Sequence, residues 1–427
     1  MDADLVIAGA GCAGLSALWE VVHRAGHGRR IVVVDRDIEP RDDRTWSFWG
    51  PPTTPFAHLA DRTWEQVHVR FPGWDSVDTL GGHRGRSGRS GRSGRSGDRR
   101  RYMRVRSHDY GAAVLDAARR SPNVEFVSAD IREIRDGPDH GVVVTSAGEL
   151  RAPVVFQSVR LSPDDAAAPV RHPLRQHFSG WEVHTERPVF DTDVVTLMDF
   201  DTDQHDGTAF FYVLPESPHR ALVEHTMFSL EPRDRAFHDD RVGARVESMG
   251  AGSFTIERTE YGSIPMEDRL VQQRWGRHVW NLGTVGGMTK PTTGYTFQRI
   301  HAQTRHLVES WLTTDVPAPL PSAPARYRFA DRTLLHILHE RPELGRPIFE
   351  KLFATTSIDR VLTFLDEDSS ALDDARMIAR LPWRPFVAAA VAELGSGLSV
   401  GNRRRRRPAA PAEAAPPAVH AEPHLVA

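Results

Sequence analysis

The opening of the chain constrains its fold more than any other feature. Residues 4–8, DLVIA, form a short apolar run, followed by the turn GAGCAG and then by LSALWEVVHRAG, whose apolar residues recur at helical spacing. A second apolar run, RIVVVDRD at 30–37, ends in acid. Strand, tight glycine turn, helix and strand in that order open a parallel sheet of the doubly wound kind. The spacing GxGxxG gives each glycine a separate role. Gly9 permits the turn, Gly11 lets a pyrophosphate approach the backbone, and Gly14 lets helix and strand pack closely. The helix start then offers unpaired N–H groups to phosphate. Asp35 ends the second strand about 20 residues beyond Gly14, where a carboxylate accepts ribose hydroxyls. The unit predicts dinucleotide binding.

Composition narrows the class. A chain of 427 residues predicts two or three domains. Fifty-four basic and 57 acidic side chains give a net charge of −3, against a role in coating nucleic acid, so no specific nucleic-acid partner is expected. The single cysteine, Cys12, forms neither an internal disulfide nor a multi-cysteine metal site, and no metal is expected. No run reaches 18 apolar residues, so no membrane-spanning helix is expected. The N-terminus opens directly as a strand with no signal-peptide pattern, which leads to the expectation of a cytoplasmic protein.

Further along, RDDRTWSFWGPP lacks clear periodicity and reads as an extended excursion carrying Trp46, Phe48 and Trp49. Residues 64–71 alternate as in an antiparallel strand. Residues 81–101 are low-complexity Arg-Ser-Gly repeats without apolar side chains, read as a disordered surface insertion. Strand and helix follow at 101–120, another strand at 123–134, and a hairpin or meander within 141–158. Alternating segments dominate 174–275 and predict a mainly antiparallel sheet. A short buried strand, VWNLGTVGG, and a long helical pattern then return to the nucleotide-binding unit. The resulting expectation is an α/β chain with a Rossmann-like, discontinuous FAD-binding domain at 1–173 and 276–330. A substrate domain occupies 174–275, a helical region 331–400, and a disordered basic, Pro/Ala-rich tail 401–427. The N-terminal position of GxGxxG and the late glycines Gly283, Gly286 and Gly287 favour FAD among the dinucleotides.

Several segments now converge on one family. DLVIAGAGCAGLS, DRTWSFW, RYMRV, QHFSGW, VTLMDFD, FFYVLPES, ALVEHTMFS, YGSIPM, GTVGGMTKPTTGYTFQRI, FLDED and LPWRPF span residues 4–390. In this order they resemble the FAD-dependent bacterial lycopene beta-cyclases of carotenoid synthesis. The resemblance implies an isomerisation in which a linear end group of lycopene, or a related linear carotenoid, becomes a beta-ionone ring. It also implies reduced FAD, kept reduced by NAD(P)H. A substrate this apolar implies peripheral association with the inner face of the cell membrane, and contact with other carotenoid-pathway enzymes is open. Lys290, Thr293 and Gly294, within KPTTG, are expected near the flavin ring, with backbone N–H groups facing it. Two departures stand out: Gly283-Thr284 where many such proteins carry Gly-Asp, and Phe156-Gln157-Ser158 where Phe-Asp-Ser is common.

Ring closure needs an acid able to protonate an alkene, a site that excludes water, and a group to take the ring proton. Electron-rich aromatic faces stabilise positive charge between these steps. Glu224 in ALVEHT follows three apolar residues on an expected strand, so burial raises its pKa. It matches the family's Glu-x-Thr motif and either gives the first proton or removes the last. Thr226 faces the same side of the strand and is placed to hydrogen-bond it, whereas His225 faces the other. Glu260, before YGSIPM, is a second candidate. Asp199 and Asp201 read as structural. Trp46, Phe48 and Trp49 line a polyene channel or pack in core. The competing class is a flavin monooxygenase or dehydrogenase acting on another hydrophobic isoprenoid, and a noncatalytic flavin- or lipid-binding protein is the third.

Overall fold

The computed structural model describes residues 2–25, 28–82 and 99–404. The Arg-Ser-Gly run at 83–98 and the tail beyond 404 lie outside the described residues. Five parallel strands form the first sheet, in the order Val279–Asn281, Val154–Gln157, Leu5–Ala8, Ile31–Asp35 and Val124–Ser128. Its central strand Leu5–Ala8 is fully buried, which an apolar run without alternation requires of a strand covered on both faces. Helices Cys12–Arg24, Ser107–Arg119 and Phe297–Thr314 cover one face through Leu15, Leu18, Val114, Leu307 and Trp311. The other face is closed by a three-stranded antiparallel sheet, Ile131–Asp136, Gly141–Thr145 and Gly148–Ala152, rather than by helices. The expected meander at 141–158 therefore divides. Its first two strands pair with each other, and Val154–Gln157 enters the parallel sheet.

The second sheet has seven strands in the order Phe254–Met266, Leu174–Thr185, Arg220–Ser229, Thr208–Ser217, Val194–Asp199, Gln66–Phe71 and Trp74–Thr79. All neighbours are antiparallel except Val194–Asp199 with Gln66–Phe71. The sheet therefore draws two strands from outside 174–275. Val67, Val69 and Phe71 alternate inward and share a core with Leu197, Phe200 and Phe210, which is what fixes them there. The excursion after Asp37 is also ordered: Thr45–Gly50 pairs with Arg101–Arg106, which pairs with Arg62–Trp64.

Even-numbered residues of Thr208–Ser217 and Arg220–Ser229 face the C-terminal helices, packing Phe210, Leu222 and Phe228 with Leu335, Leu338, Phe349 and Leu362. Odd-numbered ones face helix Arg235–Ser248, packing Phe211, Val213 and Val223 with Val242 and Val246. The last helix, Trp383–Arg404, continues past the expected start of the tail. Its buried Glu393 accepts from His172 at 2.9 Å, from His336 at 3.2 Å and from Arg171 at 3.2 Å, which fixes the face it turns inward.

Candidate active site

Tyr212, Glu224, Gly180 and Glu260 stand in one row across the seven-stranded sheet, each the cross-strand partner of the next. Directly opposed residues of antiparallel strands point to the same face, so all four belong to the face under the C-terminal helices. Gly180 contributes no side chain. A Cβ there would lie 3.2 Å from Glu260 Cγ, 3.4 Å from Glu224 Cβ and 3.1 Å from Leu222 Cδ1. Two buried carboxylates thus flank a position that only glycine leaves open. The sequence signal was present, since glycine in a strand interior marks a close approach, but the partner strands were not legible.

Thr226 donates its hydroxyl to Glu224 Oε1 at 2.5 Å. His225 points to the opposite face, where it hydrogen-bonds His238 at 2.8 Å. Burial is the main cause that pushes the Glu224 carboxyl up to about 8, the nearby Glu260 charge adds to it, and the Thr226 hydroxyl works against it. Glu260 is raised as well, by burial, against the pull of the Arg258 guanidinium at 3.3 Å and the Thr45 hydroxyl. Two carboxyls held together resist ionising together. Arg258 stands beside Glu260, so the charge settles on Glu260 and the proton on Glu224. Arg258 is itself anchored by Glu182 at 2.9 Å.

Next to the row, the Tyr102 hydroxyl lies 2.7 Å from that of Tyr212 and 3.2 Å from that of Tyr295. Burial holds all three phenols well above their ordinary range. Half of the chain's six tyrosines meet here. Each lies in a segment that carries the family resemblance, yet their meeting depends on three distant strands and turns. The carboxylate row and the tyrosines line a largely apolar cavity of about 800 Å³ that runs from Cys12, at the start of the first helix, to Trp383 in the last. Trp46, Phe48 and Trp49 all reach its wall, and Phe48 and Trp49 also serve the core. Asp199 instead pairs with Arg245 and Asp201 with Arg70 at 2.7 Å, as structural ion pairs.

At the Cys12 end, Gly9 has φ +104°, and a Cβ on Gly14 would fall 1.8 Å from the Gly9 carbonyl oxygen. A Cβ on Gly11 would meet nothing within 4 Å. Gly11 caps the first helix without a side-chain hydrogen bond, and no acid stands in the first turn. Asp35 Oδ2 accepts the Ala10 N–H at 2.7 Å, so the carboxylate sits at the glycine turn. Open helix start, open Gly11 and adjacent carboxylate fit a dinucleotide pyrophosphate and ribose. Gly283, at φ +61°, packs against Ala13, where a Cβ would lie 2.8 Å away, and Gly287 closes the following turn at φ +75°. Gly286 packs on the Asn281 carbonyl. Gln157, one of the two departures from the family pattern, ties the strand end to its neighbours. It donates to the Arg160 carbonyl and Asn281, and accepts the N–H groups of Val159 and Arg160.

The Lys290–Gly294 segment is a turn held by its own backbone and by the helices. The buried Lys290 ammonium is committed to Asp331 at 2.8 Å and Glu367 at 2.9 Å. The N–H groups of Lys290, Thr293 and Gly294 bond the turn carbonyls of Tyr295 and Lys290. Lys290, Thr292, Thr293 and Gly294 all stand on the cavity wall.

A family described as lycopene cyclase protein matches residues 4–391. A lycopene beta-cyclase from a Paracoccus species is 30% identical over 321 residues, 69% of this chain and 70% of that one. Another lycopene beta-cyclase, from Pantoea ananas, is 27% identical over 309 residues, 68% of this chain and 70% of its own. Among solved structures, a flavoprotein/dehydrogenase from Cytophaga hutchinsonii shares the fold, with TM-score 0.58 and 14% identity over 93% of this chain and 100% of that one.

Proposed function

Since the chain belongs to the lycopene cyclase family, we propose that its cavity holds a linear end group of lycopene against Glu224 and closes it to a beta-ionone ring. The observation that carries this reading is the carboxyl pair flanking Gly180 inside an apolar cavity. A Glu224 carboxyl pushed up to about 8 keeps its proton at neutral pH, while the surrounding apolar wall excludes water that would trap a cation. Glu224 gives its proton to the terminal double bond, and the neighbouring double bond attacks the resulting cation. Thr226, already bonded to Glu224, stabilises the carboxylate so formed. The faces of Trp46, Phe48 and Tyr295 line the same cavity and favour positive charge. The ring proton returns to the carboxyl pair, so one proton is lent and one recovered, with no net redox change.

We assign FAD to Gly9, Gly11, Gly14 and Asp35, with Gly283, Gly286 and Gly287 behind it. In its reduced form, maintained by NAD(P)H, it would add negative charge beside the cation. Among the described residues no helix is long and apolar enough to cross a membrane. A substrate confined to the bilayer then requires this protein to bind the membrane peripherally.

The test is anaerobic incubation of the FAD-loaded protein with lycopene in detergent and a reductant. The expected product has the substrate's mass and beta rings. A product that gains oxygen or loses hydrogen overturns the reading in favour of a monooxygenase or dehydrogenase. Glu224→Gln is expected to keep FAD and lose cyclisation, and undiminished turnover removes Glu224 from its role.

A further inference from the structure

The helix Trp383–Arg404 closes the far end of the cavity, and its two faces differ in kind. Ala389 and Glu393 are buried, with Glu393 tied to His172, His336 and Arg171. The outward face carries Trp383, Val387, Val391 and Leu394, exposed to 67%, 53%, 64% and 61%. Their spacing of four, four and three residues keeps them within one stripe, about 17 Å long at the helical rise of about 1.5 Å per residue. A helix facing water carries charge along such a stripe, and a contiguous apolar one marks a surface that is covered in use. Helix Ala371–Ile378 adds Leu372, 59% exposed, and Ile378.

Position and charge together indicate what covers it. Trp383, Val387 and Ile378 are exposed and also line the cavity, so the stripe meets the cavity where it reaches the surface. Arginine dominates the nearby charge as well. Arg376, Arg380 and Arg384 fall between 375 and 392, and the flanking acids are Asp373, paired with Arg376 at 3.5 Å, and the buried Asp374 and Glu393; a run of five arginines stands at 403–407. Arg384 lies over the Trp383 ring at 5.5 Å, placing a cation at the polar edge of the stripe. Aromatic and aliphatic side chains bordered by arginine suit the boundary between lipid headgroups and acyl chains.

We propose that the outer face of this helix is the surface on which the protein docks to an anionic bilayer, with the cavity mouth opening against the lipid. The proposal rests on the proposed membrane-drawn substrate but is tested without it. The probe is sedimentation of the full chain, loaded with FAD, with vesicles of phosphatidylcholine alone or mixed with phosphatidylglycerol. The comparison variant is Val391→Glu with Leu394→Glu, two stripe residues that do not line the cavity.

Wild-type protein is expected to bind mixed vesicles more tightly than neutral ones, and the double variant to lose apparent affinity roughly tenfold or more. Its circular dichroism and its rate on lycopene in detergent should stay unchanged. Equal vesicle binding by wild type and variant overturns the proposal, as does no binding by wild type. A wild-type dimer that the variant converts to monomer also overturns it, since the stripe would then join two copies. If wild type binds vesicles but fails to cyclise lycopene in detergent, the function falls and the docking surface stands.

Discussion

Glu260→Gln separates the two carboxyls electrostatically while leaving the shape of the site nearly unchanged. Glu224 rises from 4.5 to about 8, with burial the larger cause and the Glu260 charge the smaller. One strand lies between the two that carry these acids, so their backbones are about 9.6 Å apart across Gly180. At an effective dielectric of about 20 that separation corresponds to roughly 1.7 kcal/mol, or about 1.3 in pKa. Arg258 beside Glu260 offsets part of it, so a fall of up to about 1 is expected for the Glu224 pKa.

The sign follows from the chemistry. A proton donor works below its pKa, so cyclisation is present at neutral pH and disappears as pH rises through about 8 in the wild type. In Glu260→Gln the same loss should arrive lower, toward about pH 7. Initial rates of beta-ring formation, measured by chromatography across roughly pH 5.5 to 9 at fixed detergent and saturating reductant, give both midpoints. The midpoint is readable even if the absolute rate falls. An unmoved midpoint, or one displaced to higher pH, refutes the charge coupling and with it the division of roles between the two acids.

Gly180→Ala should fold with a stability loss of about 1–3 kcal/mol from overpacking, seen as a lower thermal midpoint. Because its Cβ displaces the carboxyls directly, kcat for cyclisation should fall at least tenfold while flavin fluorescence on loading stays as in wild type. A fully active variant would show that the gap has no part in the chemistry. Lys290→Met leaves the buried Asp331 without its cation, while Glu367 keeps Arg299 at 3.0 Å, at a cost of about 3–5 kcal/mol in denaturant unfolding. A loss below about 1 kcal/mol would mean that the ammonium is not the centre of that cluster.

What the sequence disclosed follows the range over which each feature is encoded. The glycine turn, the helix behind it and Asp35 lie within 35 residues, and their order alone set the first sheet. Glu224 and Thr226 share a face because a strand repeats every two residues, and that too is local. Gly180 was visible as a strand glycine, but its position between the two acids depends on pairing with strands more than 30 residues away. Gln66–Phe71 was legible as a strand, yet its parallel neighbour Val194–Asp199 comes more than 120 residues later. The ion pairs of Lys290 were hidden for the same reason. Its place after a glycine cluster suggested a cofactor contact, while its ion partners lie 41 and 77 residues further on.

The Lys290 cluster has a bearing on how such a chain can be inherited. The ammonium belongs to the turn that follows the second glycine segment, and its counter-ions belong to helix Ala325–Glu340 and the loop holding Glu367. A shortened relative that dispensed with those helices would leave a lone cation in an apolar interior, so the loss must be accompanied by replacement of the lysine. The cover of the cavity and the turn after the second glycine segment are therefore coupled by charge, and neither can change its own without the other. Recombination that exchanged the helices for those of a relative would succeed only where both carboxylates came along.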